Sequence, residues 1–320
     1  MLRLKWSSRL KSLLAIVAMI ASLSLAIAPF SHASSDNSVA EAPPEVTLTV
    51  EPVRNNIYMV SGSNNAGNVG VVDGDLGTIL IDSQMGGDAT EKLIDTLSRQ
   101  FSNGFPLLIN THWHFDHVGG NESFGDASTV IAAHENALKR MATEQTIEAL
   151  GFTIPASPSA ALPVITFSDT STFHLNDEII HCFHVKDAHT DGDIVVHFKN
   201  ANVIHSGDLI FNGFYPFIDV SSGGNINGMI DGVDQMLAIA NDDTIIIPGH
   251  GPLLTPAELM DYRTMLMTVR DRMAAAIADG NSLEKILELK LNADYDDALG
   301  DGFLSPEQFT TILYQDLSRP

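Results

Sequence analysis

Three histidines and one aspartate stand within six consecutive positions, in Thr111-His112-Trp113-His114-Phe115-Asp116-His117. Neutral imidazoles and carboxylates are the natural ligands of zinc and related divalent metals. An apolar run from Pro106 to Ile109 leads into the cluster and reads as a strand. In a strand or tight loop, His112 and His114 point to one side. Asp116 and His117 fall where the chain turns, next to Gly119 and Gly120, which permit a bend that a side chain resists. One buried histidine is an ordinary core residue. Four ionisable groups at one strand end form a candidate site.

Three further positions share that setting. His189 lies in Asp187-Ala188-His189-Thr190-Asp191, and Asp208 lies in His205-Ser206-Gly207-Asp208 after the apolar stretch Val203 to Ile204. His250 lies in Pro248-Gly249-His250-Gly251 after Thr244 to Ile247. Ligand-binding loops of layered folds collect past strand ends. Five histidines and two aspartates are enough for two metal ions and too many for one.

The elements that must position these groups follow from periodicity. Strands are expected at 46–50, 57–60, 69–72, 78–81 and 106–109, and again at 179–185, 193–198, 201–204 and 244–247. Helices are expected at 89–99, 134–149, 226–239 and 256–278, with short helices beyond 282 and an acidic turn at 294–301. Each half carries strands and then helices, which suggests two sheets packed face to face with helices outside. The helix at 256–278 is rich in Met and Ala, suited to the core or to a homodimer contact.

The chain has 320 residues, 40 Asp plus Glu against 17 Lys plus Arg, and a formal charge of −23. Such a surface repels nucleic-acid phosphates, so no nucleic-acid partner is expected. A single cysteine, Cys182, excludes an internal disulfide and any Cys-rich metal site. Residues 1–11 carry four basic residues and no acid; an apolar run to Ala28 and Ser31-His32-Ala33 follow. This is the layout of a signal peptide cut after Ala33, with an uncleaved anchor as the alternative. The expected organisation is signal peptide 1–33, flexible leader 34–46 and one domain at 47–320 with a helical extension from about 256. No membrane span is expected after cleavage, and the destination is the periplasm or the exterior.

The motif His-x-His-x-Asp-His, followed in order by His189, Asp208 and His250, resembles the metallo-β-lactamase superfamily of hydrolases. The resemblance runs from about residue 50 to 255. It implies a four-layer αββα sandwich of the α/β class. It also implies that His112, His114 and His189 hold one ion, that Asp116, His117 and His250 hold another, and that Asp208 bridges them. Asp82 matches an acidic position behind the ligands, and His205 is read beside it as a supporting hydrogen-bonding group. Zinc is the default metal; an all-N/O ligand set also accepts iron or manganese. In the implied mechanism, a hydroxide bridging the metals, oriented by Asp116, attacks a carbonyl of a small-molecule substrate.

The branch is read mostly from what is missing. The commonest metallo-β-lactamases have Cys where this chain has Asp208, and Lys where it has Phe211. The stretch Leu209 to Gly224 holds no Lys or Arg, which weakens a glyoxalase II-like thioesterase as the alternative. The aromatic residues Phe211, Phe214, Tyr215 and Phe217 form a candidate substrate wall. The expected substrate is therefore a neutral or weakly charged ester, lactone or amide, with β-lactams still open. A non-catalytic periplasmic metal-binding protein is the alternative of another class.

Overall fold

A computed structural model describes residues 46–319. The expected signal peptide, and the expected leader up to residue 45, lie outside the described residues. The described residues open with the antiparallel strands β1 (Leu48–Arg54), β2 (Ile57–Gly62), β3 (Val69–Val72) and β4 (Ile79–Ile81). Helix α1 (Asp88–Gln100) then crosses to β5 (Leu107–Ile109), which pairs parallel to β4. Two short helices follow, α2 (Phe115–Val118) and α3 (Asn121–Asp126), then β6 (Val130–His134) and α4 (Glu135–Met141). A hairpin of β7 (Gln145–Ile147) and β8 (Phe152–Ile154) precedes β9 (Ile165–Phe167). The first large sheet has seven strands in the order β1-β2-β3-β4-β5-β6-β9.

The second sheet contains β10 (Thr170–Leu175), β11 (Glu178–Val185), β12 (Asp193–Phe198), β13 (Val203–His205) and β14 (Ile245–Ile247), in sequential order. Helix α5 (Ile226–Ile239) crosses from β13 to β14, which run parallel. Four helices end the chain: α6 (Pro256–Ala278), α7 (Leu283–Leu289), α8 (Ala293–Leu299) and α9 (Pro306–Leu317).

The strand pleat sorts side chains into layers. In β5, Leu108 packs with Leu93 and Leu97 of α1, while Leu107 and Ile109 face the second sheet. There they meet Ile180, Ile194, Val196 and Phe198. On the far side, Val195 and Ile204 pack with Ile230 and Val233 of α5 and with Leu266 of α6. Burial of each such side chain contributes on the order of 1.5–3 kcal/mol. The result is the αββα sandwich. Cys182 lies fully buried between the sheets, where burial pushes its thiol pKa up and leaves it inert. Among the described residues, no helix is long and apolar enough to cross a membrane.

Several elements depart from expectation. The helix expected at 134–149 stops at Met141, because Gln145 to Ile147 pair with β8 across a turn in which Gly151 has φ +67°. The acidic turn expected at 294–301 is largely helical, as α8. Strands β6, β9 and β10 lie where no strand was read; β9 and β10 are edge strands whose half-exposed residues weaken the hydrophobic signal.

Candidate metal centre

The groups of the centre gather at one end of the strands, on loops and single helical turns. His112 and His114 lie in the segment that follows β5, His114 with extended backbone, and the single turn of α2 redirects the chain so that Asp116 and His117 join them. Gly119 and Gly120 keep right-handed backbone angles, so the bend does not need their conformational freedom. They are needed for close approach: a Cβ at Gly119 would collide with Gly86, and one at Gly120 with the Ser83 carbonyl. From the second sheet come His189, between β11 and β12, Asp208, after β13, and His250, after β14.

These seven residues form two adjoining groups. His112, His114, His189 and Asp208 each present one ligand atom, all within 4.8 Å of one another, and Asp116, His117 and His250 do the same. Asp208 faces both. Its Oδ2 lies 3.8 Å from His112 Nε2 and 3.5 Å from His189 Nε2, and its Oδ1 lies 3.0 Å from His117 Nε2. His250 Nε2 lies 3.3 Å from Asp116 Oδ2 and 3.4 Å from Asp208 Oδ2.

The outer atoms of four imidazoles are tied down, which fixes their tautomers. His189 Nδ1 donates to the Phe217 carbonyl at 2.8 Å, and His114 Nε2 donates to Asp219 Oδ2 at 3.0 Å. His117 Nδ1 donates to Asp82 Oδ2 at 2.8 Å. Thr111 Oγ1 spends its hydrogen on Asp82 Oδ2, so it accepts from His112 Nδ1 at 3.0 Å. In the neutral tautomers these partners favour, the inward nitrogens of His112, His114 and His189 are lone pairs. His189 Nε2 and His114 Nδ1 face each other at 2.8 Å, and His112 Nε2 and Asp208 Oδ1 are buried without a hydrogen-bond partner. Buried lone pairs aimed at one another are unfavourable unless a cation lies among them. The residues fit two divalent ions.

The protein's own charges divide the cluster. Burial, reinforced by His117, holds His112 well below the usual imidazole range, and burial with His114 brings His189 down to about 4. Burial acts the same way on His250, but Asp208 and Asp116 outweigh it and raise His250 to about 9. Burial opposes ionisation of Asp208, yet His117, His250 and His112 keep it well below the usual carboxylate range.

Asp82 sits just past β4 with φ +67°. Besides His117, its carboxylate accepts from the Thr111 backbone N–H at 2.7 Å. His205 touches no group of the cluster. Its Nε2 donates to the Asn68 carbonyl at 3.3 Å, and its Nδ1 accepts from the Gly207 N–H at 3.2 Å. Phe211 stacks on His250 at 5.2 Å between ring centroids, and Phe217 lies 5.8 Å from both His114 and His189. Tyr215 does not line the cleft. It is fully buried, stacks on Phe309 and donates to Asp296 Oδ1 at 2.8 Å, so it docks the C-terminal helices. Phe214 packs against Gly302 on the same side.

Sequence reading missed Asp219, whose Oδ1 accepts from Ser221 Oγ at 2.5 Å and from the Ser222 N–H at 3.1 Å. The available signal was a lone acid inside the apolar run Ile218-Asp219-Val220. It also missed Gly67 and Gly249. A Cβ at Gly67 would enter the His117 ring, and one at Gly249 would strike Asp208 Oδ1.

The family model for the metallo-beta-lactamase superfamily matches residues 62–250. The chain belongs to that superfamily. Among curated members it is 21% identical over 211 residues to a metallo-beta-lactamase type 2 of Bacillus sp. (strain 170), covering 64% of this chain and 77% of that one. It is 25% identical over 210 residues to the acyl-coenzyme A thioesterase MBLAC2 of Bos taurus, covering 59% and 74%. Among solved structures, it superposes on the sec-alkylsulfatase Pisa1 from Pseudomonas sp. with TM-score 0.64 at 15% identity, over 84% of this chain and 50% of that one. A metallo-beta-lactamase from Pontibacter korlensis gives TM-score 0.56 at 17% identity, over 69% and 99%. These structural likenesses show the superfamily fold. Superfamily membership together with the ligand cluster makes the chain a metal-dependent hydrolase.

Proposed function

We propose that the chain hydrolyses a small neutral or weakly charged ester, lactone or amide with two divalent metal ions, and that the carboxylate of a β-lactam antibiotic counts against it as the substrate. The carrying observation is the set of inward lone pairs whose outer atoms are fixed by Asp82, Asp219, Thr111 and the Phe217 carbonyl. His112, His114 and His189 would hold one ion, Asp116, His117 and His250 the other, with Asp208 between them. The ions would supply Lewis acidity and lower the pKa of water at neutral pH. Zinc suits the imidazole-rich set, and iron or manganese suits the carboxylates. Asp116, among the less buried members of the set, would orient the attacking water in this reading.

The substrate class follows from what surrounds the cluster. Phe211 and Phe217 offer apolar ring surface, and no cation stands between Leu209 and Gly224. The nearest candidates from α4 are engaged: Arg140 forms two 2.7 Å bonds with Asp191, and Lys139 pairs with Glu135. Arg319 reaches the Val220 and Gly224 carbonyls but is paired with Asp316, so each of these three cations already has an acidic partner. The test is steady-state hydrolysis of matched neutral and anionic substrates by zinc-loaded protein, with His114→Ala as control. Preference for the neutral member is expected, and preference for the anionic member sinks the reading. The thioesterase among the relatives makes a thioester the second reading, and a neutral short-chain thioester run beside its coenzyme A counterpart separates the two. Export with cleavage after Ala33 belongs to the same proposal, and the intact mass of the protein from a bacterial host checks it.

A further inference from the structure

The ligands come from two different sheets, so the centre needs contacts that fix one sheet's loops against the other's. Asn68, in the loop between β2 and β3 of the first sheet, is buried. It makes four hydrogen bonds to the second sheet's residues around the centre. Its two amide hydrogens go to different carbonyls, Pro248 O at 3.0 Å and Gly251 O at 2.8 Å. Its backbone N–H donates to Gly249 O at 2.7 Å. Three carbonyls flanking His250 on both sides are thus held by one residue. Its own carbonyl accepts from His205 Nε2, and His205 Nδ1 in turn receives the N–H of Gly207, the neighbour of Asp208.

We propose that Asn68 is a positioning residue for the second metal: it sets the His250 loop, and through His205 the Asp208 turn, against the His117 side of the centre. This rests on the reading above that Asp116, His117 and His250 hold the second ion. Metal ligation tolerates only about 0.5 Å of misplacement. His250 follows a three-residue strand and is flanked by Gly249 and Gly251, so its own backbone restrains it weakly. The neighbouring loop segment is similarly tied: the Gly67 N–H donates to Asp116 O at 3.3 Å, and Gln84 Nε2 donates to Gly67 O at 3.1 Å. Asn68 therefore links ligand loops of both sheets without touching a ligand atom.

The experiment is titration of metal-free full-length protein with Co²⁺ alone, followed by visible absorption and calorimetry. Wild type should take two equivalents. In Asn68→Ala the second equivalent should bind about 10- to 100-fold more weakly, and the first, which shares only Asp208 with it, should lose much less. The isosteric Asn68→Asp, which sets a carboxylate against two carbonyls, should lose the second equivalent at least as strongly. Activity lost in Asn68→Ala should return when excess metal is added, which a general folding defect would not allow. Retention of both affinities, or equal weakening of both, overturns the proposal. Should Asn68→Ala fail to fold, Asn68→Ser keeps one donor and should give an intermediate second affinity; wild-type affinity there counts against the proposal. His250→Ala separates this from the underlying reading: if it still binds a tight second equivalent, the ligand assignment fails irrespective of Asn68.

Discussion

Asp219 Oδ2 and His114 Nε2 lie 3.0 Å apart, and neither is more than a few per cent exposed. The carboxylate holds the hydrogen of His114 on its outer nitrogen and leaves Nδ1 bare toward His189. Burial works against the charge of Asp219, but His114 and the Ser221 and Ser222 donors hold its pKa well below the usual carboxylate range.

Asp219→Asn tests this tie. One oxygen becomes an NH₂ group, which must face either the Ser222 N–H or His114. Moving the hydrogen of His114 to Nδ1 would relieve the conflict and block the ligand atom. Zinc affinity at the first site should fall about 10- to 100-fold. Competition with a chromophoric chelator measures it, and unchanged affinity would refute the role.

Asp82→Ala should be costly to the fold itself. It strips hydrogen bonds from the Thr111 N–H, the Thr111 hydroxyl and His117, all buried. A loss of about 3–5 kcal/mol is expected, since buried partners are left unsatisfied. Urea unfolding of metal-free protein reads it, and a change under about 1 kcal/mol would show that solvent or other groups replace the carboxylate.

His205 is one of several buried or half-buried histidines that make stability depend on pH, beside His112, His189 and His197. Burial lowers its pKa to about 4, from an unfolded value near 6.5. Between these values the unfolded chain binds the proton that the folded chain refuses, so stability is full above about 6.5 and falls as pH drops through 4. The span corresponds to about 3 kcal/mol. In His205→Gln, unfolding free energy measured across that window should depend less steeply on pH. An unchanged slope would assign the loss to other histidines.

Phe303 stands half-exposed beside Phe217, with ring centroids 6.2 Å apart. Phe303→Ala should raise KM for an aromatic ester about 3- to 10-fold, from the loss of about 1 kcal/mol of ring contact. The value of kcat and the melting temperature should stay close to wild type. Equal effects on aromatic and aliphatic esters would remove Phe303 from substrate recognition.

What the sequence made legible were groups whose spacing is local or whose type is rare. His112 to His117 announce themselves by density, and His189, Asp208 and His250 by following apolar strands. The α5 and α6 spans follow from periodicity, and the structure adds Asn225 and Thr255 as their N-caps. What stayed hidden depends on contacts distant along the chain. Asn68 is one polar residue among several in Ser63-Asn64-Asn65-Ala66-Gly67-Asn68, and only the docking of β14 against its loop gives it a task. Tyr215 looked like a cleft residue because its neighbours are aromatic; its hydroxyl is claimed by Asp296, 81 positions away.

The division of the ligands between two sheets also orders events in time. Until the sandwich closes, the first half of the chain offers only His112, His114, Asp116 and His117, without the carboxylate of Asp208 to draw two cations together. Tight metal capture is therefore a late step, coupled to sheet docking. The order of metal loading is thus written into the topology: the ions come after the second sheet, not before it.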